Sequence, residues 1–168
     1  MPELSLKERL QPSLLDRLTD DQPEKTRESR ERRVLTVQQL RQSVLRDLCW
    51  LLNCEAMESS VDISDYPQIR SSVLNYGIPS LSGAVLSRLE LSELERSIEA
   101  AIRLFEPRIL PDTLRVRIAA AATLSGGENA LSLQIEGQLW AQPLPQRLFL
   151  HTEIDLDCGH VAVIDNAE

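Results

Sequence analysis

The chain has 168 residues, 42% of them hydrophobic but only 4% aromatic, so we expect one domain with an aliphatic core and a terminal arm. The formal net charge is −8, and residues 34–168 hold the whole acidic excess, with ten basic against eighteen acidic groups. This balance argues against nucleic-acid binding, which requires clustered cations. No apolar stretch is long enough to span a bilayer, and three cysteines without a zinc spacing or a secretory leader indicate a reducing, cytoplasmic compartment.

Residues 1–33 are predicted to form an N-terminal arm that is partly flexible, because its basic and acidic groups are mixed along a polar stretch. Within the arm, residues 13–18 make a short apolar patch. One interpretation is that Leu14, Leu15 and Leu18 dock on a partner, and the other is that the arm is solvated. Residues 34–168 form the predicted domain.

The first strong helix is predicted to begin after Thr36, which has capping-box spacing to Gln39, and to end near Asn53. Its apolar positions recur at helical spacing, and they are Val37, Leu40, Val44, Leu48, Leu51 and Leu52. Residues 54–90 are predicted to be irregular, with a short helix over 68–74. A loop follows, in which Gly77 takes a positive φ.

A second helix is predicted from about Leu91 to Phe105, with Ser92 and Glu95 as its capping box. Pro107 disfavours the α conformation of the residue before it, so the helix should stop there.

Glu106 then lies where the helix carbonyls concentrate negative charge, whereas a cation is favoured at Arg108. A carboxylate in that position needs a specific partner. Glu106, Pro107 and Arg108 are therefore a candidate recognition site for another protein, and the alternative is an internal brace of the turn after the helix.

After Pro111 the hydrophobic period becomes alternating, which predicts strands near 115–120, 131–139 and 148–156, with a hairpin turn at 126–129. These strands form a three-stranded antiparallel meander with one apolar and one polar face. The fold class is therefore α+β, with two main helices and a short helix packed on the meander.

The last predicted strand, roughly 147–157, can lie at the edge of the sheet, where an exposed edge accepts a strand from another chain. Its inward residues Leu150, Thr152 and Ile154 are the candidate contacts. The alternative is that the acidic side chains on its polar face protect the edge.

The sequence predicts no catalytic, cofactor or metal site. His151 lies on the polar face of a strand, and its neighbour Thr152 points to the opposite face, so the two cannot form a catalytic pair. A sugar hydrolase needs two carboxyl groups in a cleft with aromatic platforms, and aromatic residues are scarce. A peptidoglycan hydrolase is kept as the alternative function, although this scarcity argues against it. A free-standing binding module for acidic or peptide ligands is a third.

The ordered set of motifs resembles TssE, the baseplate subunit of bacterial type VI secretion systems, a family related to lysozyme-like wedge proteins of contractile phage tails. The resemblance covers about Ser13 to Val163. The motifs that carry it are Ser-Leu-Leu-Asp-Arg-Leu at 13–18, the helix through 44–53, Tyr66-Pro67, Arg-Ser-Ser-Val-Leu-Asn-Tyr-Gly-Ile-Pro at 70–79, Glu-Pro-Arg at 106–108 and the strands after it.

This resemblance implies a fold similar to the interlocking domain of contractile-sheath subunits, and a structural role without catalysis or cofactor. It implies that the protein bridges the wedge proteins TssF and TssG, meets TssK through the wedge complex, and initiates assembly of the sheath subunits TssB and TssC. The location implied is cytoplasmic, at a baseplate docked to the inner-membrane complex. Glu106, Pro107 and Arg108 map onto the family's wedge contacts, and the candidates from the 70–79 motif are Arg70, Asn75, Tyr76 and Gly77.

Overall fold

The computed structural model describes residues 13–19, 23–24, 36–81, 88–120, 130–141 and 144–165. Its helices are α1 (Leu14–Leu18), α2 (Val37–Leu52), α3 (Pro67–Arg70) and α4 (Arg88–Phe105). Its strands are β1 (Arg115–Ala120), β2 (Ala130–Leu139), β3 (Gln146–Asp155) and β4 (Val161–Asp165). The two long helices pack with the antiparallel sheet around one aliphatic core, which confirms the predicted α+β class.

Helix α2 begins and ends where its sequence predicts. The Thr36 hydroxyl accepts the Gln39 N–H at 3.1 Å, and the Gln39 side-chain oxygen accepts the Thr36 N–H at 2.9 Å, so the capping box is confirmed. The helix ends at Leu52. Its buried side chains face the sheet and α4, and they include one polar residue, Ser43, among the aliphatic positions.

Helix α4 ends at Phe105 as predicted, but it begins at Arg88, upstream of the predicted start. Ser92 lies inside the helix, so the capping box predicted at Ser92 and Glu95 is wrong. The residues before Ser92 are mostly good helix formers, which lets the helix extend. Glu95 instead reaches the sheet, where its carboxylate accepts the Ile118 N–H of β1 at 2.7 Å.

The sheet has four strands in the order β1-β2-β3-β4, so the predicted three-stranded meander is one strand short. After β3 the chain turns at Gly159, whose φ of +73° is readily adopted only by glycine, and returns as β4. The turn is closed by the Gly159 N–H, which donates to the Asp155 carbonyl at 2.7 Å. The predicted hairpin turn at 126–129 lies outside the described residues.

Strand β3 is therefore an interior strand, and the prediction that residues 147–157 form the sheet edge is wrong. Leu150, Thr152 and Ile154 are fully buried. The Thr152 hydroxyl donates to the Leu133 carbonyl of β2 at 3.1 Å. The edges of the sheet are β1 and β4.

The segment between α2 and α4 is irregular, as predicted, and closes against the end of α2. The predicted helix over 68–74 is α3 followed by a 3-10 turn at Val73–Asn75. Gly77 has a φ of +136°, which confirms its predicted positive φ. A Cβ at Gly77 would lie 2.5 Å from the Cys54 carbonyl oxygen, so only glycine fits where the loop pairs with residues 54–56.

Candidate functional site

The Glu-Pro-Arg turn follows directly from the end of α4. The Glu106 N–H still donates to the Ile102 carbonyl at 2.8 Å, and the Ile109 N–H closes the turn on the Glu106 carbonyl at 3.2 Å. Pro107, between them, is exposed, and Arg108 is half-buried. The turn therefore directs the side chain of Glu106 inward and leaves the proline ring at the surface.

Glu106 is buried, with 2% of its surface exposed, and its partner lies within the same chain. The Arg108 Nε donates to Glu106 Oε1 at 2.6 Å, and Arg108 Nη2 donates to Oε2. The backbone N–H of Arg108 adds a third bond, at 3.2 Å. This bidentate pair offsets the unfavourable position of a carboxylate at a helix C-terminus, so Glu106 and Arg108 brace the turn from within the chain.

Arg108 also joins the turn to α2. Its Nη2 lies 2.5 Å from Asp47 Oδ2, and its Nη1 donates to the Ser43 hydroxyl at 2.9 Å. Burial by itself would lower the pKa of Arg108, but the carboxylates of Glu106 and Asp47 more than offset it and raise the pKa. The guanidinium is thus a permanent cation that links α2 to the end of α4.

A second arginine extends the same network to α1. Arg46 Nε donates to Asp47 Oδ1 at 2.9 Å, so Asp47 bridges the two guanidiniums. Arg46 Nη1 lies 2.5 Å from Asp16 Oδ1 of α1, and the guanidinium stacks 5.1 Å from the centre of the Trp50 ring.

The Asp16 carboxylate receives further hydrogen bonds on its other oxygen. The Ser43 hydroxyl donates to Asp16 Oδ2 at 2.8 Å, and the Ser13 hydroxyl donates to the same oxygen at 2.7 Å. Burial acts to raise the pKa of Asp16, but the bonds from Arg46, Ser13 and Ser43 outweigh it and lower the pKa from 3.8 to about 2. We call the six residues Asp16, Ser43, Arg46, Asp47, Glu106 and Arg108 the charged cluster.

Sequence reasoning found only the Glu106 and Arg108 part of the charged cluster. Ser43, Arg46 and Asp47 lie at positions i, i+3 and i+4 of α2, which places them on one face of the helix. A serine and an aspartate beside the apolar stripe were the available signal, because two polar residues so close to a core face need partners.

The other candidates fall into buried and exposed groups. Asn75 is buried and joins two turns, since its Oδ1 accepts the Glu58 N–H at 3.0 Å and its Nδ2 donates to the Arg70 carbonyl at 3.3 Å. Arg70 itself is exposed, 3.4 Å from Glu58. The Tyr76 ring packs edge-on against Phe105 with centroids 5.2 Å apart, which supports α4 just before the turn.

The leucines of α1 are exposed, with 70% of Leu14, 45% of Leu15 and 74% of Leu18 open to solvent. No residue of α1 is buried. The helix therefore meets α2 through the polar side of Asp16, and its leucine side faces outward.

No metal chemistry is offered by the described part of the chain, where no group of three or more His, Cys, Asp and Glu side chains is placed to hold an ion. His151 Nε2 lies 3.2 Å from the Ser132 hydroxyl on the outer face of the sheet. Within the described ranges, none of the helices combines the length and the apolar character that crossing a bilayer requires. The charged cluster is suited to holding α1, α2 and the turn after α4 together.

The comparisons with known proteins agree with this structural character. The family model for baseplate wedge protein gp25 matches residues 38–144, which is more than half of the chain. The chain belongs to the baseplate wedge protein gp25 family. No curated protein matches the chain. The match confirms the resemblance to TssE-like baseplate proteins. It contains α2 from its second residue onward, the Glu-Pro-Arg turn and β2, while Asp16 and strands β3 and β4 lie outside it.

Proposed function

We propose that this protein is a structural baseplate subunit of a type VI secretion system, which bridges the wedge proteins and initiates assembly of the contractile sheath. The observation that carries the proposal is the family match over residues 38–144, with the Glu-Pro-Arg turn inside it. In this proposal the protein is not an enzyme. It acts in the cytoplasm, at a baseplate docked to the inner-membrane complex, and residues 34–168 form the assembling domain while residues 1–33 form the arm.

The wedge-facing surface is proposed to surround the Glu-Pro-Arg turn. Glu106 is buried, so its role is to orient Arg108, whose side chain keeps 22% of its surface exposed. Pro107 is exposed beside it. TssF and TssG would contact Pro107, the open side of Arg108 and the exposed leucines of α1, and TssK would be reached through them. Arg70 is a further surface contact, with Asn75, Tyr76 and Gly77 shaping the loop that presents it.

The sheath-facing surface is proposed to be the β4 edge, with β3 supporting it. Both hydrogen-bonding groups of Val161 that point away from β3 are taken by the Asn53 side chain, at 2.9 Å and 3.0 Å. The alternation of an antiparallel strand makes the N–H and C=O of Val163 the next pair to face outward. A strand of TssB or TssC would pair there. On β1, Glu95 already binds the outward N–H of Ile118.

Co-purification of the tagged full chain, expressed with TssF and TssG, tests the wedge contact. We expect wild type to recover both proteins and Arg108→Gln to lose most of them. Arg103→Gln is the matched control, because Arg103 is an exposed arginine on the last turn of α4 with an ion pair to Glu99 at 2.6 Å. The control should recover as much as wild type. Circular dichroism of each variant shows that recovery is compared among folded proteins.

Failure of wild type to recover either wedge protein would contradict the proposed function. Equal loss of wedge-protein recovery in Arg108→Gln and Arg103→Gln would instead show that the Glu-Pro-Arg turn is not part of the contact surface. A cell-wall turbidity assay with the same preparations addresses the hydrolase alternative, since lysis abolished by one carboxylate substitution would replace the structural role.

A further inference from the structure

In the described part of the chain, helix α1 is held against α2 by hydrogen bonds to one of its side chains, Asp16. It has five residues, which is too short for a stable isolated helix, and none of them is buried. Its Asp16 is the residue that reaches α2, through Arg46 at 2.5 Å and Ser43 at 2.8 Å. Among the described residues, the hydrogen bonds between α1 and α2 therefore all go to one carboxylate.

The groups that receive Asp16 are held in place by other contacts. Asp47 fixes Arg46 at 2.9 Å, and the Trp50 ring supports the same guanidinium from one side. Arg108 Nη1 fixes the Ser43 oxygen at 2.9 Å, so the Ser43 hydroxyl hydrogen remains directed at Asp16. If Asp16 left, the Ser43 O–H and Arg46 Nη1 would keep their positions and present two donors to another acceptor.

The charges of the surrounding residues favour a carboxylate in the position that the Asp16 side chain occupies. Without Asp16, the charged cluster has two cations, Arg46 and Arg108, and two anions, Asp47 and Glu106, so it is formally neutral. One carboxylate adds a single negative charge and matches the two donors. A phosphate dianion would instead place two negative charges near the Asp47 carboxylate, which also binds the Arg46 guanidinium. Like charges that share one cation repel each other, so the site favours a carboxylate over a phosphate.

We propose that Ser43 and Arg46 form a carboxylate-binding site that Asp16 fills in the free subunit and that an acidic side chain of a baseplate partner takes over during assembly. The second half of this proposal rests on the proposed structural role in the baseplate. Exchange would release α1 together with its exposed leucines, so that one binding event changes both the site and the arm.

The first experiment tests the site without any baseplate protein. The full chain carrying Asp16→Asn is titrated with a synthetic peptide of residues 12–19, blocked at both ends, and the Arg46 side-chain and Ser43 backbone N–H signals are followed by NMR. The control peptide has asparagine at position 16. We expect the acidic peptide to bind about tenfold more tightly than the control, which is the ratio that a charge-assisted hydrogen bond gives.

Arg46→Gln on the same background should remove the difference between the two peptides. Equal binding of both peptides, or no shift at Arg46 with either, would overturn the site. Hydrogen exchange of residues 13–19 in the full chain is the second measurement. Asp16→Asn should speed it about tenfold, whereas the exposed neighbour substitution Arg17→Gln should leave it unchanged. Unchanged exchange in Asp16→Asn would also overturn the site.

The takeover is tested by the affinity of the full chain for TssF and TssG. Because Asp16→Asn removes the internal competitor, it should tighten binding, whereas Arg46→Gln should weaken it. Weaker or unchanged binding in Asp16→Asn would overturn the takeover. If no variant, including wild type, binds the wedge proteins, the proposed function fails while the peptide result still decides whether the carboxylate site exists.

Discussion

Replacement of Arg108 by methionine should leave the carboxylate of Glu106 buried without a cation. Only 3% of the Glu106 side chain is exposed, and the two guanidinium contacts, with Nε at 2.6 Å and with Nη2, would be lost. The backbone N–H of residue 108, at 3.2 Å, is the one donor to the Glu106 carboxylate that this change keeps among those described. Asp47 loses one guanidinium and retains that of Arg46 at 2.9 Å.

The expected loss follows from this geometry. Removing one partner of a buried ion pair costs about 3–5 kcal/mol, since the remaining charge is uncompensated. Asp47, which is partly exposed and keeps one cation, adds little. We therefore expect Arg108→Met to lower the free energy of unfolding by about 3 kcal/mol. With a urea dependence of about 2 kcal/mol per molar, the midpoint should fall by about 1.5 M.

Urea unfolding followed by circular dichroism measures this loss. Arg103→Met is the matched control, because its ion pair is exposed and should change stability by less than about 0.5 kcal/mol. The double variant E106Q/R108M removes the buried charge and should recover more than half of the loss. A loss below about 1 kcal/mol in Arg108→Met, or a double variant less stable than the single one, would refute the buried-charge argument.

Three further changes test other parts of the fold. Gly77→Ala should lower the free energy of unfolding by about 2–4 kcal/mol, because its φ is +136° and a Cβ would lie 2.5 Å from the Cys54 oxygen; a melting temperature equal to wild type would contradict this. Asn53→Ala removes both hydrogen bonds to Val161 and should cost about 2 kcal/mol in urea unfolding, with faster amide exchange in β4. Because the folded pKa of Asp16 is about 2, below its ordinary 3.8, its contribution to docking of α1 is complete above pH 3.8 and is lost as pH falls through 2. Solvent screening reduces this contribution to about 1 kcal/mol, and NMR of residues 13–19 against pH measures it.

Local signals predicted the parts of the fold that local chemistry controls. The capping box at Thr36, the end of α4 before Pro107 and the positive φ of Gly77 each depend on a few neighbouring residues, and each is confirmed. The start of α4 was missed because Ser92 and Glu95 satisfy the capping pattern while also suiting a helix interior. Glu95 was free to bind the Ile118 N–H instead, a contact set by the packing of α4 on β1.

Strand β4 was missed because its evidence is non-local. Its five residues, Val161–Asp165, follow a turn rich in polar residues and carry little periodic pattern of their own. They become a strand because β3 presents an unpaired edge and Asn53 binds Val161 from the end of α2. Because β4 pairs with β3, the sheet edge that a partner strand could reach lies on β4 and not on β3. The missing strand therefore also changed the predicted interaction surface.

The charged cluster shows why the role of a recognition motif depends on the whole fold. Position at a helix end indicated that Glu106 needs a partner, and this was correct, but sequence could not place that partner two residues away rather than in another protein. Helix α2 determines that this partner is Arg108. Ser43 and Asp47 of α2 hold the Arg108 guanidinium in a position where it also binds Glu106. Because Glu106 is then fully satisfied, an interacting protein gains nothing from Glu106 directly. Any contribution of this glutamate to binding must be transmitted through the orientation of Arg108, and so Glu106 substitutions should weaken assembly only to the extent that Arg108 moves.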